Sequence, residues 1–218
     1  MNLAYYTFIL LIIFLLFLLI NKNLKLSPKK IRIYITTVGV LFILRYIGLF
    51  LLCVLRDSGL VYRLKYILFL NHITIPLMVI GLSYVYLRWD KLTFNVNYIL
   101  ASIIIICYGI EIYFMKAKVT LDINYGYIVN ITNKNIIYLF PLIMVGILLV
   151  FCIYFFDKPN NNKAGMIYLI LGLSVVIIEN IIYLGGIKIF PYPIIGDGIF
   201  VFIMNLAVNT FKKLRIEN

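Results

Sequence analysis

Apolar positions in this chain neither alternate nor recur as narrow stripes; they run on. Seven stretches, about residues 3–21, 31–55, 65–87, 97–115, 136–156, 164–184 and 194–211, are mostly Leu, Ile, Val, Phe and Tyr, and short segments rich in Lys, Asp and Asn separate them. A hydrocarbon core ~30 Å thick takes ~20 apolar residues per helical crossing. Within lipid, a lone segment satisfies its backbone only as a helix. The pattern predicts an all-α membrane protein, a single seven-helix transmembrane domain over residues 1–218 with almost no soluble mass. No Ala- or Gly-rich interruption marks a broken helix, and there is no internal repeat or GxxxG packing motif. Pro76 is expected to kink the third span because it removes a backbone donor. Pro191 and Pro193 bracket the approach to the seventh.

One segment departs from this pattern. The longest connection, 116–135, alternates on both sides of Asn124-Tyr125-Gly126, which predicts a short β-hairpin within 119–131. A lone hairpin is marginal in water, so it is expected to rest on the helix ends as a lid. Asn130-Ile131-Thr132 matches a glycosylation sequon, a three-residue match of little weight.

Composition and charge sharpen the picture. At 64% hydrophobic and 13% charged residues, the chain lacks the polar surface of a water-soluble globule. A net charge of +12 would also suit nucleic acid, but the cations lie in loops between apolar runs and never interleave with a Gly/aromatic pattern. The bilayer is therefore the expected partner, and nucleic acid is not. The first span is not a cleavable leader: no charge precedes Leu3–Ile20, and Asn21-Lys22-Asn23-Leu24-Lys25 follows it. With the N-terminus outside, twelve Lys/Arg fall in the inner loops and tail and seven in the outer loops, Arg45 completing the 20. Positive charge stays inside, so the N-terminus is placed outside, the C-terminus inside and the hairpin outside. Heavy use of Ile, Asn, Lys and Tyr fits an AT-rich genome and a bacterial plasma membrane. Cys53, Cys107 and Cys152 lie inside apolar runs with no CxxC pair, which gives no disulfide or zinc pattern.

Ionisable side chains at membrane depth are costly, so each requires an explanation. Arg45, His72, Glu111, Glu179 and Asp197 come from five different spans, and all fall in the outer half. Asn71 and Asn180 adjoin two of them, and Tyr183 lies one turn from Glu179; the inner half holds Asn205 and Asn209 but no charge. This one-sidedness predicts an outward polar pocket lined by Arg45, Asn71, His72, Glu111, Glu179, Asn180, Tyr183 and Asp197. The alternative is that Arg45 pairs with Glu179 or Glu111 merely to register the bundle. His72 taken alone reads as a packed histidine rather than a pH switch.

Catalytic signatures are missing. There is no GxSxG, no HExxH, no clustered metal ligand and no cysteine near the single histidine in sequence. No cofactor is implied, since the last span lacks a core lysine for a retinal Schiff base. A lipid hydrolase using Glu179 and Asp197 would be the enzymatic reading.

Three segments carry a resemblance. They are Asn71-His72-Ile73-Thr74-Ile75-Pro76 running on to Tyr86-Leu87-Arg88-Trp89, Glu179-Asn180-Ile181-Ile182-Tyr183-Leu184, and Pro193-Ile194-Ile195-Gly196-Asp197 leading to Phe211-Lys212-Lys213-Leu214-Arg215. With seven spans, they resemble the seven-helix sensor region of bacterial histidine kinases and diguanylate cyclases. That resemblance implies a non-enzymatic, receptor-like module that binds a small ligand and signals through the last helix. The chain stops at Asn218, about a turn past the membrane, so the signal is expected to pass to a cytoplasmic partner at Lys212, Lys213 and Arg215. A small transporter or its substrate-binding subunit, and an accessory or immunity-type membrane protein, are the competing readings. Oligomeric state is not legible.

The charge bias makes a topology prediction. In intact cells, a membrane-impermeant thiol reagent is expected to modify Asn124→Cys and to leave Asn161→Cys unmodified until the membrane is opened. The reverse labelling overturns the orientation.

Overall fold

A computed structural model describes residues 2–55, 57–87, 94–159 and 161–216, with the side chains of residues 134 and 210–216 outside the description. Its helices are α1 (Leu3–Leu26), α2 (Lys29–Val54), α3 (Ser58–Arg63), α4 (Lys65–Leu68), α5 (Asn71–Leu87), α6 (Asn95–Phe114), α7 (Lys134–Tyr154), α8 (Lys163–Leu184) and α9 (Ile195–Ile216). Strands β1 (Ala117–Asp122) and β2 (Gly126–Ile131) lie between α6 and α7.

The polar connections supply the caps that start helices. Asn2 accepts from Tyr5 N, Asp57 from Gly59 N and Asn162 from Gly165 N, each satisfying an orphan donor of a first turn. Six helical segments are long and apolar enough to cross a membrane: Leu3–Leu26, Lys29–Val54, Ser58–Leu87, Asn95–Phe114, Asn135–Tyr154 and Lys163–Leu184. Their outward faces carry large exposed hydrophobics such as Phe14, Ile33, Ile106, Val150 and Ile178. In water, an apolar surface this extensive would drive association. The central helix is α5, which is buried along nearly its whole length and packs on α2, α6, α7 and α8.

One feature differs from the expectation of seven plain spans. The stretch 65–87 is broken: the chain turns at Phe69-Leu70, where Leu70, His72 and Ile73 donate to carbonyls three residues back. The helix then continues through Pro76. No Gly marks the break, because a distant side chain, Arg45 Nε, takes up the freed Leu68 carbonyl at 2.9 Å. The last helix, α9, runs 22 residues from Ile195 to Ile216. It packs between α1 and α8, and Asn205 ties it to α1 by donating to Leu15 O at 3.0 Å.

The hairpin strands run from Ala117 to Asp122 and from Gly126 to Ile131, starting two residues before the expected segment. Asp122 Oδ1 accepts from Asn124 N and Tyr125 N to shape the turn, and Gly126 closes it at φ 71°. The turn packs on the bundle: Asn2 N donates to Asn124 O at 2.7 Å, Tyr6 OH donates to Tyr125 O at 2.7 Å, and Val129 N donates to Tyr192 OH at 2.8 Å. The hairpin, the start of α1, the end of α2 and the loop before α9 therefore share one end of the molecule, the hairpin end.

Gly126 has two reasons to be glycine. Its φ is positive, and a Cβ there would lie 3.0 Å from the backbone of Leu52 and Cys53. Gly126→Ala is expected to lower stability by about 1–3 kcal/mol, read as a lower unfolding midpoint in detergent. The mobility of a spin label at Asn124→Cys should rise at the same time.

Candidate functional site

Side chains that the sequence marks as costly are sorted by the fold into three polar groups. The first centres on Arg45, nine residues before the end of α2, roughly 13 Å along the helix axis at 1.5 Å per residue. Its guanidinium is almost fully buried and pairs with Asp197, in the first turn of α9. Tyr46 OH donates to Asp197 Oδ2 at 2.9 Å and accepts from Arg45 at 3.0 Å. Leu68 O and Pro193 O take the remaining directions at 2.9 and 3.4 Å. Four of the five donors on the planar fork thus meet a carboxylate, a phenol and two carbonyls, which is what a buried cation needs.

The second group belongs to Glu179. Its two carboxylate oxygens accept from Ile195 N at 2.9 Å and Gly196 N at 2.7 Å, so a side chain of α8 caps the N-terminus of α9. The helix dipole favours negative charge there. Gly196 permits the approach, because a Cβ would stand 2.5 Å from Glu179 Oε2.

The third group is His72 with Glu111, Nδ1 to Oε1 at 2.5 Å, both side chains about 3% exposed. Glu111 Oε2 and Asn71 Oδ1 have no hydrogen-bond partner among the described residues. Between the first and third groups stands an aromatic cluster of Phe69, Tyr138, Tyr183 and Tyr192. Tyr138 lies 5.7 Å from the His72 ring and 4.9 Å from that of Tyr183. Burial pushes the Tyr192 hydroxyl well above its ordinary range, keeping it a neutral partner for Val129.

One expectation is corrected by this arrangement. Arg45 pairs with Asp197, not with Glu179 or Glu111; those two carboxylates are already engaged, by the start of α9 and by His72. The eight residues expected to line one pocket are distributed between the packed interior and three described cavities. Arg45, Asp197, Asn71, His72 and Asn180 are packed in the interior, and Asn180 donates to Val176 O of its own helix. Glu179 and Tyr183 line an apolar groove of about 190 Å³ beneath the loop to α9. Glu111 lines a cleft of about 480 Å³ between α6 and α7. Tyr183 also floors a polar pocket of about 240 Å³ at the hairpin end. The side chains of Lys212, Lys213 and Arg215 lie outside the described residues.

Sequence reasoning missed most of that end pocket. Its walls are Asn130 and Thr132 of the hairpin segment and Lys188 and Pro191 of the loop to α9, with Tyr138 and Tyr183 below. These residues look like ordinary interfacial loop composition; only the hairpin folding back against the loop gathers them. A hydrolase centred on Glu179 and Asp197 is not supported by the geometry, since both carboxylates are committed to holding α9. Among the described residues, no three His, Cys, Asp or Glu side chains gather as a metal site. No protein-family profile matches the sequence, and no curated protein is similar to it.

The Arg45–Asp197 pair yields a double-mutant prediction. Arg45→Leu strands a buried carboxylate and is expected to cost on the order of 3–5 kcal/mol, read by unfolding in mixed detergent. Arg45→Leu with Asp197→Leu is expected to recover most of the loss. Arg45→Leu with Glu111→Leu should recover none.

Proposed function

We propose that the chain is a receptor-like sensor of a bacterial plasma membrane, with seven crossings, its N-terminus outside and its C-terminus inside. It binds a small anionic or strongly polar ligand in the pocket at the hairpin end and signals through α9 to a cytoplasmic partner at Lys212, Lys213 and Arg215. The observation that carries this reading is the position of the 185–194 loop. Lys188 and Pro191 wall the pocket, and two residues on, Pro193 O meets Arg45, whose guanidinium holds the first turn of α9 through Asp197. Tyr183 OH donates to Pro191 O at 2.8 Å, so the pocket floor holds the same loop. A ligand that draws Lys188 inward therefore pulls on the segment that sets α9. Such a ligand shifts an equilibrium only through differential affinity for two states of that segment.

Ligand chemistry follows from the lining. Lys188 is its cation, Asn130, Thr132 and two tyrosines supply hydrogen bonds, and no acidic side chain contributes. A second reading, a membrane scaffold whose buried charges only register the helices, is favoured by the complete enclosure of Arg45 and Asp197.

Thermal unfolding of the purified protein with millimolar acetate, glutamate, citrate or phosphate separates the two. The sensor reading expects at least one anion to raise the midpoint by several degrees, and Lys188→Ala to abolish the rise. No shift with any anion, or a shift that Lys188→Ala leaves intact, favours the scaffold.

A further inference from the structure

The cleft between α6 and α7 is a different kind of site. Helix α6 packs on α5, and α7 packs on α5 and α8, which leaves a gap between α6 and α7 along the side of the bundle. At the hairpin end the gap is closed: Asn133 Oδ1 accepts from Lys116 N, Asn133 Nδ2 donates to Phe114 O, and Thr132 N donates to Lys116 O. Its rims, Ile110, Phe114 and Ile136, are 54, 61 and 69% exposed, so it opens sideways, where six apolar helices place lipid rather than water. At about 480 Å³ it is within the ~300–1,000 Å³ typical of ligand pockets.

Lys116 and Asn133 stand at the hairpin end of the cleft, and Glu111 breaks the apolar wall below them. Glu111 lines the cleft, its side chain about 3% exposed; His72 occupies Oε1, and Oε2 has no partner among the described residues. An orphaned buried acceptor is costly, and more so if charged. A hydroxyl donor arriving from the bilayer removes that cost. The charges select among amphiphiles. An ammonium head would meet Lys116 at the same cleft, and a phosphate or carboxylate head would meet Glu111. We propose that the α6–α7 cleft is a lateral binding site for an uncharged, hydroxyl-bearing, single-chain lipid of the fatty or isoprenoid alcohol class, its hydroxyl donating to Glu111 Oε2. The inference rests on the chain being embedded in a membrane and is independent of the end pocket.

The full chain is reconstituted in lipid nanodiscs with a twelve-carbon alcohol carrying a photoactivatable diazirine, and adducts are mapped by mass spectrometry. Adducts are expected within residues 107–114 and 136–140. Excess dodecanol should suppress them at least fivefold more effectively than equal dodecane, dodecylamine or dodecyl phosphate. Cys107→Trp, which fills the cleft and leaves His72 and Glu111 in place, should abolish the adducts. Glu111→Gln should weaken dodecanol competition at least fivefold, and if it does not fold, Cys107→Trp carries the test. Adducts spread over other lipid faces such as Leu10, Phe14 and Phe17 of α1 overturn the proposal, as does dodecane competing as well as dodecanol. A charged amphiphile competing best overturns the head-group assignment. Failure of the chain to insert into nanodiscs overturns the membrane reading itself.

Discussion

A guanidinium removed from water must find partners for a whole planar fork of donors, and the surroundings of Arg45 are organised to supply them. The turn at Phe69-Leu70 frees the Leu68 carbonyl, the loop before α9 presents the Pro193 carbonyl, and the first turn of α9 presents Asp197 with Tyr46 bridging. Four separate chain segments meet at this one cation. The break ahead of α5 and the start of α9 are both explained by it, since each leaves backbone groups that an unbroken helix would have used internally. At membrane depth such irregular backbone is tolerable only where protein encloses it.

Glu179 completes the arrangement from the other side. It neutralises the exposed amides of α9, while Asp197 sits in the same first turn and answers to Arg45. Two carboxylates close to one helix start would repel each other without the guanidinium and the helix dipole between them. The result is a helix anchored at its beginning by α2 and α8 and along its length by α1, through Asn205 and the close approach of Phe8 and Ile12 to Gly198.

The apolar runs made the long helices legible, because lipid imposes length and hydropathy directly on sequence. The hairpin was legible for a similar local reason: alternation on both sides of Asn124-Tyr125-Gly126, although the part Asp122 plays in the turn was not. Arg45, His72, Glu111, Glu179 and Asp197 were legible as anomalies. Their pairing was not, because five residues on five helices admit many matches, and which ones meet depends on helix rotation. The sequence offered Glu179 or Glu111 as the partner of Arg45, and His72 holds Glu111. What decided otherwise was the backbone at Ile195 and Gly196, whose free amides claimed Glu179 first. The break at Phe69-Leu70 left no mark of its own in sequence, since its stabilising partner is a side chain about two dozen residues away. The end pocket was hidden for a related reason: Lys188, Asn130 and Thr132 acquire meaning only once the hairpin folds back.

The placing of these anchors has a mechanical side. The charged ties of α9, to Arg45 and to Glu179, all fall on its first turn, and the next tie, from Asn205 to Leu15 O, is neutral and lies about two turns farther along. With 22 residues, about 33 Å at 1.5 Å per residue, α9 is a lever held near one end. A small tilt at its first turn becomes a larger displacement at its far end, so the geometry around Pro193 and Asp197 sets where that far end stands.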